Sequence, residues 1–181
     1  MKYLAKIVFT VLSLSTFHVA AQISSQEETQ KSIVHKTASS ENHQTLLAVI
    51  KATDLEELLD EAGPFTIFAP SDLAFDNLSG KSVQDLFDPE NKQELKDLLT
   101  YHIVAGNLSA SKILKAMCRG EGKATFTTVN GDDITATMKG LDIILTDGFG
   151  NSATIIVADS KQRNGVIHEI DSVILPSKIE S

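Results

Sequence analysis

The chain has 181 residues, a formal net charge of −8 and 42% hydrophobic residues, which suits one domain with a proper core. Its acidic balance, with no cluster of Lys or Arg to override it, repels phosphate backbones and excludes nucleic acid as a partner. Cys118 is the single cysteine, so an internal disulfide is excluded and stability must come from apolar burial.

Residues 1–21 read as a secretory signal, with Lys2 and Lys6 at the start, an apolar stretch over 7–17 and the small-residue exit Val19-Ala20-Ala21. Cleavage is expected after Ala21, taking His18 with it. The apolar stretch falls short of the ~20 residues that span a bilayer. The last residues, 175–181, carry no hydrophobic tail for a glycolipid anchor. The expected product is a secreted or periplasmic chain with no membrane insertion after signal removal, a flexible lead at 22–30, one domain at 31–176 and a tail at 177–181.

Helical signals come first. The spacing predicts helices over 32–38 and 45–52, where Leu46, Leu47, Val49 and Ile50 form a buried stripe. Thr53 and Glu56 have the spacing of a capping box, followed by an inward face of Leu55, Leu58 and Leu59 and a stop at Gly63-Pro64. A β run at 65–69 leads into another helix capped by Ser71, with Asp72 in its first turn. Ser82 opens a short helix. Asp88-Pro89 caps a longer one with Leu95, Leu98 and Leu99 inside. A strand is expected over 101–104.

After a short helix at 110–117 the pattern turns to β. Residues 124–129 and 134–138 flank Asn130-Gly131, a dipeptide that supplies the two positive φ angles of a tight hairpin. Strands at 141–145, 153–157 and 166–175 follow, with loops at 147–151 and 159–164. Helices first and strands later indicate an α+β fold.

The polar residues offer little chemistry. Ser71, His102 or His168, and Asp72 or Asp171 are residue types of a hydrolase, but no Gly-x-Ser-x-Gly elbow holds them and Ser71 is taken as a cap. No His-x-x-x-His or paired-Cys spacing points to a metal, and 147–151 lacks the ligand alternation of a calcium loop. No catalytic residue, cofactor or metal ligand is therefore assigned. His35 and His43 stand in polar surroundings and are read as exposed, Asp132-Asp133 as a solvated tip, and Cys118 as buried beside Met117. His168 alternates with Val166 and Ile170, which predicts a buried imidazole tying strands together while Glu169 faces water. Asn77-Leu78-Ser79 and Asn107-Leu108-Ser109 match the glycosylation triplet, relevant only in a eukaryote.

Three segments share a further pattern: Pro64-Phe65-Thr66-Ile67-Phe68-Ala69-Pro70-Ser71-Asp72-Leu73-Ala74-Phe75, then Leu98-Leu99-Thr100-Tyr101-His102-Ile103-Val104-Ala105-Gly106, then 164–176, which begins Asn164-Gly165-Val166-Ile167-His168. In this order and spacing they resemble the first signature box, the Tyr-His segment and the second box of the fasciclin domain family, over roughly 31–176. The resemblance implies a seven-stranded β-wedge flanked by helices, with the two boxes side by side in one sheet. It also implies an extracellular module for cell adhesion or matrix contact, binding a cell-surface or matrix protein or polysaccharide without covalent chemistry. Tyr101, His102, Asp159, Asn164 and His168 are the motif positions that could bind or support. Animal members use the Tyr-His segment and a nearby Asp-Ile pair for integrin binding; here that pair reads Asp159-Ser160. A small-ligand carrier with a cleft near the wedge is the alternative.

Overall fold

The computed structural model describes residues 31–78, 85 and 87–177. The expected signal at 1–21, the lead at 22–30, the helix opening at Ser82, Ser79 of the first glycosylation triplet and the tail beyond 177 lie outside the described residues.

Helix α1, Ile33–Ala38, begins where the Ser32 hydroxyl accepts the His35 N–H. Helix α2, Gln44–Ala52, turns Leu46, Val49 and Ile50 inward, positions that share one face at 3.6 residues per turn. Its free N–H groups are capped from a distance, since the Asp72 carboxylate accepts from Gln44 and Thr45. Helix α3, Glu56–Glu61, buries Leu59 and packs Leu55 just before it, while Leu58 is 49% exposed; the expected three-leucine face narrows to the i, i+4 pair. The Thr53 capping box does not form either. Thr53 Oγ1 donates back to the carbonyls of Val49 and Ile50, adding to the backbone bonds that the Thr53 and Leu55 N–H groups make to them.

Strand β1, Phe65–Pro70, leads into α4, Asp72–Asp76, where Ser71 accepts the Ala74 N–H as expected of a cap. Asp88 caps a 3-10 turn at Pro89–Asn91, which runs into α5, Lys92–Tyr101. Tyr101 thus ends a helix rather than opening a strand. The remaining elements are β2 (Ile103–Ala105), α6 (Ala110–Arg119), β3 (Lys123–Thr127), β4 (Asp133–Lys139), β5 (Asp142–Thr146), β6 (Ser152–Gln162) and β7 (Gly165–Ile170).

The strands form one seven-stranded sheet in the order β2-β1-β7-β6-β5-β4-β3. Strands β1 and β7 pair in parallel from Phe65↔Gly165 to Pro70↔Ile170, so the two signature segments lie side by side. This pairing demands glycine at 165, where φ is +156° and a Cβ would stand 1.9 Å from the Phe65 carbonyl oxygen. The sheet centre is buried on both faces. Ile67, Ala69 and Ile167 join the core under α1, α2 and α5, whereas Phe68 and Ile170 join a second core with Tyr101, Ile113, Met117 and Leu145. Alternate side chains of one strand therefore feed two cores.

Three strand boundaries differ from expectation. Strand β6 runs through the expected loop to Gln162, with register shifts between Ile155 and Ser160. Strand β7 stops at Ile170 because the N–H groups of Ile174 and Leu175 go to His102 Nε2 and the Asp147 carboxylate instead of a strand. The β3–β4 hairpin is present, but Thr127↔Asp133 is its last ladder pair and only Gly131 of the Asn-Gly pair has positive φ. Thr128 closes on the Asp132 carbonyl and Val129 N–H donates to Ile103, which widens the turn and ties it to β2. The Asp132-Asp133 tip is held as well: the Asp132 carboxylate accepts from Ser177 N–H and Oγ–H, and Asp133 accepts from Thr127.

Cys118 is exposed, contrary to expectation. Ile113 and Met117, four residues apart, take the inward face of α6, and one further residue rotates Cys118 about 100° away from it.

Candidate functional site

His168 is fully buried on β7. Its Nδ1 accepts the Asp159 N–H at 3.2 Å, its Nε2–H donates to the Leu108 carbonyl at 2.7 Å, and its ring stacks on Phe68 with centroids 5.8 Å apart. Both ring nitrogens are committed, which fixes the neutral Nε2–H tautomer. Burial holds its pKa below the ordinary value, opposed by the Leu108 carbonyl and Asp159. The residue expected to tie strands together therefore ties β7 to the β6 bulge and to the segment before α6.

Asp159 sits at that bulge with φ 61°. Its carboxylate accepts the Ala110 N–H at 2.8 Å, capping α6 together with Ser109. Thr66 completes the brace, donating to the Gly106 carbonyl and accepting from Leu108 N–H.

Asn164 is a three-way clamp in the two-residue link between β6 and β7. Its Oδ1 accepts the Ile33 N–H at 2.9 Å, and its Nδ2 donates to the carbonyls of Leu59, Asp60 and Ala62 at 2.6, 3.3 and 3.0 Å. One amide thus satisfies the free start of α1 and the free end of α3.

Tyr101 donates through its hydroxyl to the Asp133 carbonyl at 2.9 Å, and burial raises its pKa, with Asp147 and Asp132 adding to the rise. His102 donates from Nδ1 to the Leu98 carbonyl at 2.9 Å and accepts the Ile174 N–H on Nε2 at 3.4 Å. Burial lowers its pKa to about 4, against the opposing pull of the Leu98 carbonyl and Asp147. His102 is neutral at pH 7, and its two nitrogens are occupied.

The five motif positions do not converge on one open site. His168 and Asp159 meet at the start of α6, Asn164 clamps α1 and α3, and Tyr101 with His102 braces the chain ends of α5 and β7. Tyr101, His102 and His168 are buried with their polar atoms bonded inside the fold, while Asp159 and Asn164 are partly exposed and each also holds a backbone partner. Among the described residues, no group of three or more His, Cys, Asp or Glu side chains could hold a metal ion, and no helix is long and apolar enough to cross a membrane.

The sequence reading missed a different place. His43, expected to be exposed, is only 8% exposed and lines a cavity of about 220 Å³ with Glu169, Ser160 and Val157. Its Nδ1 lies 2.7 Å from Ser40 Oγ, while Nε2 has no hydrogen-bond partner and stands 3.9 Å from the Glu169 carboxylate. Burial lowers the His43 pKa, and Glu169, Asp72 and the hydrogen-bonding approach of the Ala69 carbonyl oppose that shift; that approach falls short of a well-formed hydrogen bond, which leaves Nε2 unpaired among the described residues. Glu169 does not face open water as expected, because α1 and α2 cover that side of β7; its side chain is 17% exposed. The signal was available at His43, which stands three residues before Leu46 and seven before Ile50 on the buried stripe of α2.

The fasciclin domain model matches residues 41–176. Protein sll1483 of Synechocystis is 41% identical over 144 residues, covering 80% of this chain and 73% of that protein. Uncharacterized protein sll1735 of the same organism is 37% identical over 79% of this chain and 96% of its own. The cell surface glycolipoprotein MPB83 of Mycobacterium bovis is 29% identical over 63% of this chain, a match that spans 44% of that protein. Among solved structures, the FAS1 domain pair of the insect cell adhesion molecule fasciclin I superposes with a TM-score of 0.64 at 17% identity, covering 82% of this chain and 52% of that one. With two parallel signature strands side by side in a seven-stranded sheet, and with these matches across most of its length, the chain belongs to the fasciclin domain family.

Proposed function

We propose that the chain is an exported, non-enzymatic interaction module that mediates adhesion or cell-surface and matrix contact by non-covalent binding of a surface protein or polysaccharide. The observation that carries this reading is the internal use of every polar motif side chain: Tyr101, His102, Asp159, Asn164 and His168 all bond within the fold. A domain that spends these groups on rigidity presents a fixed surface for recognition instead of a reactive centre. The basic and apolar start of residues 1–21 supports export, as does the likeness to a mycobacterial cell surface glycolipoprotein. The same internal bonding makes the Tyr-His segment structural support here, and Ser160 in place of isoleucine argues against integrin recognition at 159–160.

Beads coated with the purified chain should adhere to the surface of its native cells, and prior treatment of those cells with protease or with polysaccharide-degrading enzymes should identify the partner class. Absence of adhesion, together with normal aggregation of cells lacking the protein, would overturn the reading. The small-ligand alternative has a specific observation in its favour in the His43 cavity.

A further inference from the structure

We propose that the cavity between α1, α2 and strands β1, β6 and β7 is a binding site for one ring of a neutral polyhydroxylated ligand, a single sugar unit. Its volume, about 220 Å³, lies below the roughly 300–1,000 Å³ of sites that take drug-sized molecules and suits one small ring.

One buried polar atom of its lining is left over. Among the described residues His43 Nε2 has no hydrogen-bond partner; Gln162 Oε1 has none either, but Gln162 lies outside the cavity lining and reaches it only through Ser160. Gln162 donates through Nε2 to Ser160 Oγ at 3.1 Å, which leaves the Ser160 hydroxyl proton free to turn into the cavity. Among the described residues the Glu169 carboxylate accepts no hydrogen bond, and it stands 3.9 Å from His43 Nε2. Buried polar groups in native proteins are nearly always satisfied, so the unpaired His43 nitrogen on a cavity wall marks a place where a ligand supplies the partner. In contrast, Thr37 is already engaged with the Ile33 carbonyl and Ser40 with the His43 ring.

The lining selects the ligand class. The lining holds one ammonium, Lys36, and one carboxylate, Glu169, and burial favours the neutral form of His43, so charge of one sign does not dominate it. Glu169 accepts hydroxyl protons, Ser160 donates one, and His43 Nε2 meets either role according to its tautomer. Ala69, Val157 and Ile167 form the apolar wall, against which the C–H face of a sugar ring can lie. A carboxylate acceptor, a hydroxyl donor and an apolar wall are the complement of vicinal hydroxyls on a ring.

Amide chemical shifts of the purified chain should be followed on titration with D-glucose, D-galactose and D-mannose, with D-glucuronate and D-glucosamine as anionic and cationic counterparts. At least one neutral hexose should shift the amides of His43, Ser160, Gln162 and Glu169 saturably, with a Kd of about 1 mM. Glu169→Gln and Ser160→Ala should each weaken that binding about tenfold, the order of magnitude of one charged or well-aligned hydrogen bond, with Tm unchanged. Glucuronate should bind more weakly than glucose because Glu169 repels its carboxylate. Four results would overturn the proposal: no saturable shift at about 50 mM hexose, far above that Kd; shifts mapping elsewhere; preference for glucuronate or glucosamine; or binding indifferent to both variants. A hexose-soaked crystal with only ordered water in the cavity would overturn it too. The measurement stands apart from the adhesion reading, since bead adhesion can fail while the purified chain binds hexose, and the reverse.

Discussion

The two faces of strand β7 treat a buried histidine in opposite ways. On one face His168 has both ring nitrogens bonded and stacks on Phe68. On the other, His43 approaches Glu169 across a cavity with Nε2 unpaired. Both rings are desolvated, and both pKa values are lowered mainly by burial. Burial alone therefore does not separate a structural histidine from one available to a ligand; the disposition of the second ring nitrogen does.

The largest test strikes the satisfied face. Phe68→Ala removes a side chain with 0% exposure that also supports the His168 ring, and should cost about 3–5 kcal/mol in denaturant unfolding through lost transfer and cavity formation. A cost under about 1 kcal/mol, the range of most surface substitutions, would show that the β1–β7 pair is not the centre of the core.

The next concerns acid. The folded pKa of His102 is depressed by burial to about 4 from the ordinary imidazole value of 6.5, so the unfolded chain binds a proton that the folded chain refuses. Its contribution is fully present above about pH 6.5 and is lost as pH falls toward about 4, a loss of order 3 kcal/mol. Denaturant midpoints measured across that window should fall more steeply in the parent chain than in His102→Gln. Parallel profiles would mean that His102 is charged or solvated in the fold.

His168→Ala strands the Asp159 N–H and the Leu108 carbonyl, at about 1–3 kcal/mol each. His168→Gln, which retains a donor and an acceptor, should lose less, and equal losses would show that shape rather than hydrogen bonding sets the residue. The smallest effect belongs to the opposite face: His43→Leu removes an unpaired buried nitrogen and should change stability by under about 1 kcal/mol, as read from Tm. A loss comparable to that of His168→Ala would erase the distinction between the two faces.

Much of the fold was legible because its signals are local. The apolar run at 65–69 and the alternation of Val166, His168 and Ile170 marked the two signature strands, the stripe Leu46, Val49 and Ile50 marked α2, and the caps at Ser71 and Asp88 acted within their own turns. Two features escaped the sequence reading because the partner lies far along the chain: Asp72 reached across to cap α2 from α4, and Ile174 left the strand pattern for His102. Thr53 differs, since it turned back only three and four residues to α2. The candidate positions fared similarly: His168 was identified by its strand period, whereas the roles of Asp159 and Asn164 depend on Ala110, Ile33 and Leu59, 49, 131 and 105 residues away.

By itself, then, the sequence determined the order of helices and strands and the burial of His168, because periodicity and capping depend on neighbours within a turn or two; the pairing of the two signature segments followed from the family resemblance alone. The tertiary structure alone decided which polar groups are satisfied. Whether His43 Nε2, Glu169 and Ser160 meet partners or face a cavity depends on how closely α1 and α2 settle on the β6 bulge, and that distance is set by the sum of all packing contacts, which no single segment encodes.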